Sequence, residues 1–416
     1  MDEGAVTRLL LLIPTTSYRA PDFLAAADKL GVEVVVGSDQ RQILAEAAGG
    51  AVEVDFRDSE RATRQIAAFA ARRPLDAILA VDDGANIVAA AAARALGLPQ
   101  NQPEAVLAAR NKHRFRERLA AAGLPGPEFR LVPLAEDPAR VAREVGYPCV
   151  LKPLTLAMSR GVIRADGHNS FVEAFHRVAA IIAEPDADTP GEAAEHLLVE
   201  SYVDGTEYAL EGLLVDGRLQ VLAIFDKPDP LEGPYFEETI YVTPARLDGA
   251  RRDAIAEAAE AAAAAIGLTD GPTHIDLRVD GRGTVYVLEA DARSIGGYCG
   301  RSLRFAGGMR LEEVILRQAA GLPIAFSEAG AGGVMMIPIP ASGVLREVHG
   351  QEAARSLPGV SDVAITIPIG RPVRQLPEAS RYLGFIIAHG ETPEEVTETL
   401  RQAHDRLRFV IDPSDT

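Results

Sequence analysis

The first hundred residues alternate continuous apolar runs with helical stretches, and this pattern limits the fold more than any other feature. Leu9 to Ile13, Val32 to Val36 and Ala77 to Val81 contain one charged residue between them, Glu33. A strand with one wet face alternates in polarity, whereas a continuous apolar strand is buried on both faces. Pro21 to Leu30, closed by Gly31, reads as a helix, as does the alanine-rich stretch after Asp82-Asp83-Gly84. Together these predict an α/β unit built on a parallel sheet with helices on both sides. The first strand-to-helix turn, Pro14-Thr15-Thr16-Ser17, lacks G-x-G-x-x-G and gives no support to a dinucleotide site.

A chain of 416 residues is long enough for two or three domains. Its 47% apolar and 25% charged residues are globular rather than disordered composition. A formal net charge of -18 argues against a broad nucleic-acid surface but leaves room for a local basic pocket for phosphates. No apolar run reaches the roughly 18 residues that span a bilayer, so no membrane partner is expected. The two cysteines, Cys149 and Cys299, cannot make a disulfide framework, and the cytoplasm is the expected setting.

Asn101-Gln102-Pro103 opens a helical stretch that runs through Lys112 to Ala122 and stops at Gly123-Leu124-Pro125. Tyr147 to Pro153 is a short strand ending near a lysine, and Ala254 to Ile266 is a long helix. From Tyr147–Pro153 to about Gly321 the pattern is mixed, with several antiparallel-looking strands and two long helices. Val334 to Ile339 and Leu383 to Ala388 read as strands and Thr392 to Leu407 as an amphipathic helix, so the last ninety residues look like a separate α+β unit. The expected division is 1–100, 101–325 and 326–416.

Three segments carry chemistry. In the first, His274-Ile-Asp276-Leu-Arg-Val279 and Thr284-Val-Tyr-Val-Leu-Glu289-Ala-Asp291-Ala-Arg293 flank a turn at Asp280 to Gly283. Both arms alternate as strands do, so Glu289 and Asp291 share a face. A hairpin centred between Arg282 and Gly283 sets Asp276 opposite Glu289. Like charges opposed in this way are destabilising, and a divalent cation with a taste for oxygen, such as Mg²⁺, resolves the conflict. A solvated hairpin with scattered acids is the plainer alternative. In the second segment, Lys152 ends a strand and Ser159-Arg160-Gly161-Val162 follows. Backbone N–H groups and fixed positive charge suit phosphate, although an ordinary surface loop would look similar. The chain has no Walker motif. In the third, Leu197-Leu-Val-Glu200-Ser-Tyr-Val-Asp-Gly205-Thr-Glu207 runs from an apolar strand into two glutamates seven apart.

Taken together, Lys112, Lys152 with Ser159 to Gly161, Glu200 with Glu207, and Asp276 thirteen residues before Glu289, Asp291 and Arg293 resemble the ATP-grasp superfamily over roughly residues 100 to 320. The resemblance implies an N-terminal parallel-sheet α/β domain, a central ATP-grasp domain and a C-terminal subdomain. It implies ATP and Mg²⁺, with two ions expected and Mn²⁺ as a substitute. Lys112 and Lys152 would meet the phosphates under the Ser159, Arg160 and Gly161 loop. Glu200, with Ser201 and Val203, would read the adenine, and Glu207 would hold the ribose. Asp276, Glu289 and Asp291 would bind metal. Arg293 would meet the substrate carboxylate or the anionic intermediate, as catalytic partner to Lys152. Two departures stand out. Asp291 replaces the usual asparagine, and the loop Leu154 to Met158 is poor in glycine.

Finer features, from Phe225-Asp-Lys-Pro to Pro244 and the separate tail, resemble the amino-acid and dipeptide ligases, including the carnosine-synthase-like group. The implied reaction is ADP-forming amide synthesis from a small carboxylic acid and an amine such as an amino acid, through an acyl phosphate. A homodimer is compatible with the family. A biotin-carboxylase-like or purine-pathway ligase is the alternative enzyme, and a nucleotide-binding regulator without turnover is the alternative of another class. The Pro- and acid-rich segment Asp226 to Glu238 is expected to be a loop near the γ-phosphate, where Glu237 or Glu238 would bind the amine and Tyr235 would wall the pocket. Gly296 and Gly297 allow close approach to a ligand. Arg301 is a further candidate for a substrate carboxylate. His274 shares the face of Asp276, and no activating partner marks Cys299 as catalytic.

Overall fold

The computed structural model describes residues 7–15, 17–40, 50–187 and 189–413. Thr16 of the first turn lies outside them.

The N-terminal strands β1 (Arg8–Leu12), β2 (Glu33–Ser38), β3 (Ala51–Glu53) and β4 (Ala77–Ala80) form a parallel sheet in the order β3-β2-β1-β4. Leu9 to Leu12 are all fully buried. Leu9 and Leu11 pack on one side with Phe23 of α1 (Ala20–Leu30). Leu10 and Leu12 pack on the other with Ile66 and Val88 of α2 (Ser59–Ala70) and α3 (Asp83–Leu96). The continuous apolar run is thus explained by helices on both faces. Gly31 closes α1 in the left-handed conformation, φ 65°, which glycine adopts without a Cβ penalty.

The helical stretch expected from 103 through 122 is two helices, α4 (Pro103–Arg110) and α5 (Lys112–Ala121). Asn111 breaks it, with extended backbone and a side-chain oxygen that accepts from His113 N and Arg114 N. Such a cap contributes about 1 kcal/mol. It also makes Lys112 the first residue of α5, where its N–H bonds Leu154 O.

A second sheet, order β5-β8-β6-β7, contains β5 (Phe129–Pro133), β6 (Cys149–Pro153), β7 (Ile163–Ala165) and β8 (His196–Ser201). It is antiparallel and covered by α6 (His168–Ile182) through Phe171, Phe175 and Val178.

The third sheet has eight strands, order β13-β12-β9-β10-β11-β14-β18-β16. It takes in β9 (Thr206–Val215), β10 (Arg218–Asp226), β11 (Ile240–Thr243), β12 (Gly271–Val279) and β13 (Val285–Asp291), then β14 (Ala331–Ile337), β16 (Val360–Ile365) and β18 (Gly384–Gly390). Ile275 and Leu277 of β12 point to one face and pack on Ile255, Ala259 and Ala262 of α7 (Gly249–Ile266). Alternation then sends His274, Asp276 and Arg278 to the opposite face. Because β11 pairs with β14, the tail strands extend this sheet instead of standing apart. Only β15 (Gly343–His349), β17 (Pro372–Val373) and β19 (Arg408–Asp412) make a small sheet of their own. Among the described residues, no helix is long and apolar enough to cross a membrane.

Candidate active site

The polar face of β12 faces a cavity of about 460 Å³ between the three sheets, within the range of ligand pockets. Register builds its floor. His274 pairs with Glu211 on β9 and Asp291 on β13, Asp276 pairs with Glu289, and Arg278 pairs with Glu207. The expected pairing of Asp276 with Glu289 is present. A bulge beside Leu277 shifts the hairpin by one residue toward the turn, where Leu277 faces Val287.

Each acid is engaged by a cation. Lys112 Nζ donates to Glu289 Oε1 and to Leu156 O, both at 2.9 Å. Lys152 Nζ donates to Glu200 Oε2 at 2.6 Å. Arg293 spans Asp83 Oδ1 at 2.7 Å and Asp291 Oδ2 at 2.8 Å. Lys227 Nζ donates to Glu207 at 2.7 Å, Glu238 at 2.8 Å and Asp276 at 2.7 Å, and lies 4.6 Å from the Tyr241 ring centroid.

These pairings decide the charge states. Burial works against the Lys227 charge, but Asp276, Glu207 and Glu238 outweigh it and hold the ammonium well above its ordinary range. Burial would raise the Glu200 carboxyl, yet Arg116 and Lys152 hold it at about 2. Burial lowers Lys152, with Glu200 opposing. Burial raises Asp276 against the pull of Lys227. Burial also raises Asp291 to about 7, with Arg293 opposing and Asp83 and Glu289 adding to the rise.

The structure brings together most of the expected site and leaves part of it outside the cavity. Lys112, Lys152, Ser159, Glu200, Ser201, Val203, Glu207, Glu238, Asp276, Glu289, Asp291, Arg293, Gly296 and Gly297 all line the cavity. Arg160 does not; it is buried in ion pairs with Glu184 and Asp186. Gly161 also lies behind the wall, its N–H bonded to Pro377 O and its φ of 73° set against the Pro153 ring. Arg301 is spent on Asp22 and Asp362. Glu237 and Tyr235 border a separate cavity, where Tyr235 meets Arg177. The Glu200 carboxylate is not free for adenine: both oxygens are held by Arg116, and one also by Lys152.

The three expected metal ligands do not close on one point. Among the described residues, the carboxylates whose oxygens lie within 4.8 Å of one another are Glu207, Glu238 and Asp276, gathered by Lys227. Lys112 and Arg293 draw Glu289 and Asp291 toward different neighbours. The donor set of Asp276, Glu289 and Asp291 still fits a hard divalent cation, because it offers carboxylate oxygens on one cavity face.

Sequence reasoning missed Lys227, Arg116, Arg278 and Asp83 as site residues. Lys227 follows the apolar strand β10 as Lys152 ends β6, so the same signature was present. Arg116, 2% exposed, sits on α5 and also donates to Val287 O and Leu288 O; nothing in the helix pattern separates it from a surface arginine.

Three family domains match the chain: an ATP-grasp N-terminal domain over residues 24–100, an ATP-grasp domain over 145–302, and an L-amino acid ligase C-terminal domain over 335–412. The chain belongs to the ATP-grasp superfamily. Its ligase relatives support a carbon–nitrogen bond-forming ligase, and within that class it resembles the L-amino acid ligases. The crystal structure of an L-amino acid ligase from Bacillus licheniformis superposes with a TM-score of 0.83 at 27% identity, covering 98% of this chain and 99% of that one. Alanine–anticapsin ligase of Bacillus subtilis is 26% identical over 74% of this chain and 68% of its own length. Carnosine synthase 1 of Gallus gallus is 31% identical over 64% of this chain and 30% of its own length. The chain thus spans between under a third and about two thirds of the curated relatives it matches.

Proposed function

We propose that the chain is an ATP-dependent, ADP-forming ligase that joins the carboxylate of one amino acid to the amine of another through an acyl phosphate. The observation that carries this reading is the set of groups gathered in one cavity. The same cavity is lined by apolar Val150, Phe236 and Leu288, which suit adenine, and by Lys112, Lys152, the cross-strand Asp276–Glu289 pair and Arg293, which suit phosphate, metal and carboxylate.

In this reading the backbone from Ser201 to Val203 reads the adenine edge and Glu207 faces the ribose. Lys112 and Lys152 hold the phosphates beneath Ser159. Arg293 aligns the acid, whose carboxylate oxygen attacks the γ-phosphorus. The bond from that phosphorus to its bridging oxygen breaks, giving acyl phosphate and ADP. The amine nitrogen then attacks the acyl carbon and expels inorganic phosphate as the amine gives up a proton. Such transfer rests on positioning and charge neutralisation rather than covalent help. Asp276, Glu289 and Asp291 would hold Mg²⁺, as two ions with Mn²⁺ as a substitute, which when bound neutralises phosphate charge. Glu238, between Lys227, Tyr241 and Tyr382, is the acid we assign to the amine, in place of Glu237. Residues 101–325 would carry this chemistry, with 1–100 and 326–416 walling it, in the cytoplasm.

The reading is tested by assaying ADP and phosphate release with amino-acid pairs, and separately with bicarbonate. Turnover with bicarbonate alone would favour a carboxylase-type ligase.

A further inference from the structure

The same cavity has an apolar wall made of side chains that the nucleotide and phosphate assignments above leave unused. They are Tyr18, Ile295, Cys299, Met336 and Phe385. Four of these come from the loop after β13 and from β14 and β18. Tyr18 comes from the N-terminal sheet, in the connection between β1 and α1.

Tyr18 is held in place from both sides. Its ring meets Tyr298 edge-on at 4.7 Å and lies 6.1 Å from Phe385. Its neighbour Arg19, 3% exposed, donates to Val81 O at 3.1 Å and to Ser294 Oγ at 2.8 Å. Ser294 directly follows Arg293, so the Tyr18 ring sits at a fixed offset from the guanidinium assigned to the reacting carboxylate. Gly297 keeps the space beside this wall open. Its φ is 61°, and a Cβ there would lie 2.7 Å from the Phe385 ring and 3.5 Å from Tyr18 Oη. Cys299 adds no charge, since burial pushes its thiol to about 12 and its Sγ contacts Met336 Sδ at 3.6 Å. These five side chains carry no charge, so a charged group against them would lose hydration, and the charged groups near Cys299 in the same cavity, Glu238 and Arg293, are those assigned above to the amine and the reacting carboxylate.

We infer that Tyr18, with Met336 and Phe385, forms the side-chain pocket of the activated acid, and that it selects L-amino acids with uncharged apolar side chains such as leucine or phenylalanine. This rests on the ligase reading above. Tyr18 acts by shape and apolar surface, so its hydroxyl is dispensable.

The test uses the full chain with Mg·ATP, L-alanine as amine, and leucine, phenylalanine, aspartate or lysine as acid. Phosphate release gives kcat/KM, and fragmentation of the product identifies which residue donated the acyl group. Leucine or phenylalanine should occupy the acyl position and exceed aspartate and lysine by at least about tenfold. Tyr18→Ala should lower the leucine-over-alanine ratio at least about fivefold, and Tyr18→Phe should restore it. A ratio within one preparation cancels any loss of folded protein. Turnover that accepts aspartate or lysine as well as leucine, or a ratio unmoved by Tyr18→Ala, overturns the pocket while leaving the ligase reading intact. No phosphate release with any amino acid removes the ligase reading and the pocket with it.

Discussion

The ammonium of Lys227 lies 2.7 Å from the carboxylate of Asp276, and the same nitrogen also bonds Glu207 and Glu238. One buried cation therefore holds three acids from three parts of the chain. Removing it leaves buried like charges facing each other, which costs about 3–5 kcal/mol for a broken buried pair. Lys227→Met is expected to lower the unfolding free energy from urea titration by that amount and to abolish turnover. A Lys227→Met protein with wild-type stability would show that the cluster is not coupled as described.

Glu289 and Asp276 are cross-strand partners on the cavity floor. Glu289→Gln and Asp276→Asn are each expected to reduce ATP turnover by about a hundredfold or more, with the circular dichroism spectrum unchanged. Near-normal ADP formation by Glu289→Gln at saturating Mg²⁺ would exclude this carboxylate from the mechanism.

Glu200 sets an acid limit on stability. Its carboxyl is held at about 2 by Arg116 and Lys152, below the ordinary 4.5. A depressed carboxyl contributes stability that is complete above its unfolded value and is lost as pH falls through its folded value. Unfolding free energy should therefore decline from about pH 4.5 toward pH 2. Glu200→Gln should be less stable at pH 7 and show a shallower decline across that window, as measured by urea titration at several pH values. Parallel pH profiles would contradict the assignment.

The sheet bearing Lys152 is fastened to the tail by Arg374–Glu184 and Arg177–Glu378 ion pairs and by Gly161 N to Pro377 O. The ion pairs are partly exposed, so each contributes no more than about 1 kcal/mol. Arg374→Ala should barely change the melting temperature yet raise the KM for ATP about threefold, because the sheet closes over the nucleotide less often. An unchanged KM at low and high salt would deny the fastening any part in binding.

What the sequence discloses follows from periodicity. The unbroken apolar run at Leu9 reports helices on both faces, and the alternation around Asp276 and Glu289 reports one shared face with the right partners. Periodicity is silent about which buried polar residue pairs with which. Lys227 and Arg116 are therefore legible only once β9, β10 and β12 lie side by side and α5 packs on the floor. The break at Asn111 is a capping effect within an otherwise helical pattern. The union of β11 with β14 joins residues about ninety apart, a pairing that no local signal announces.

In the proposed reaction this cavity couples ATP cleavage to joining two amino acids. The most direct measurement is nucleotide and product analysis after incubating the protein with Mg·ATP and amino-acid pairs. ADP and phosphate in equal amounts with a dipeptide, and no AMP, are expected. AMP with pyrophosphate, or ADP release that no amino acid stimulates and no dipeptide accompanies, would contradict it.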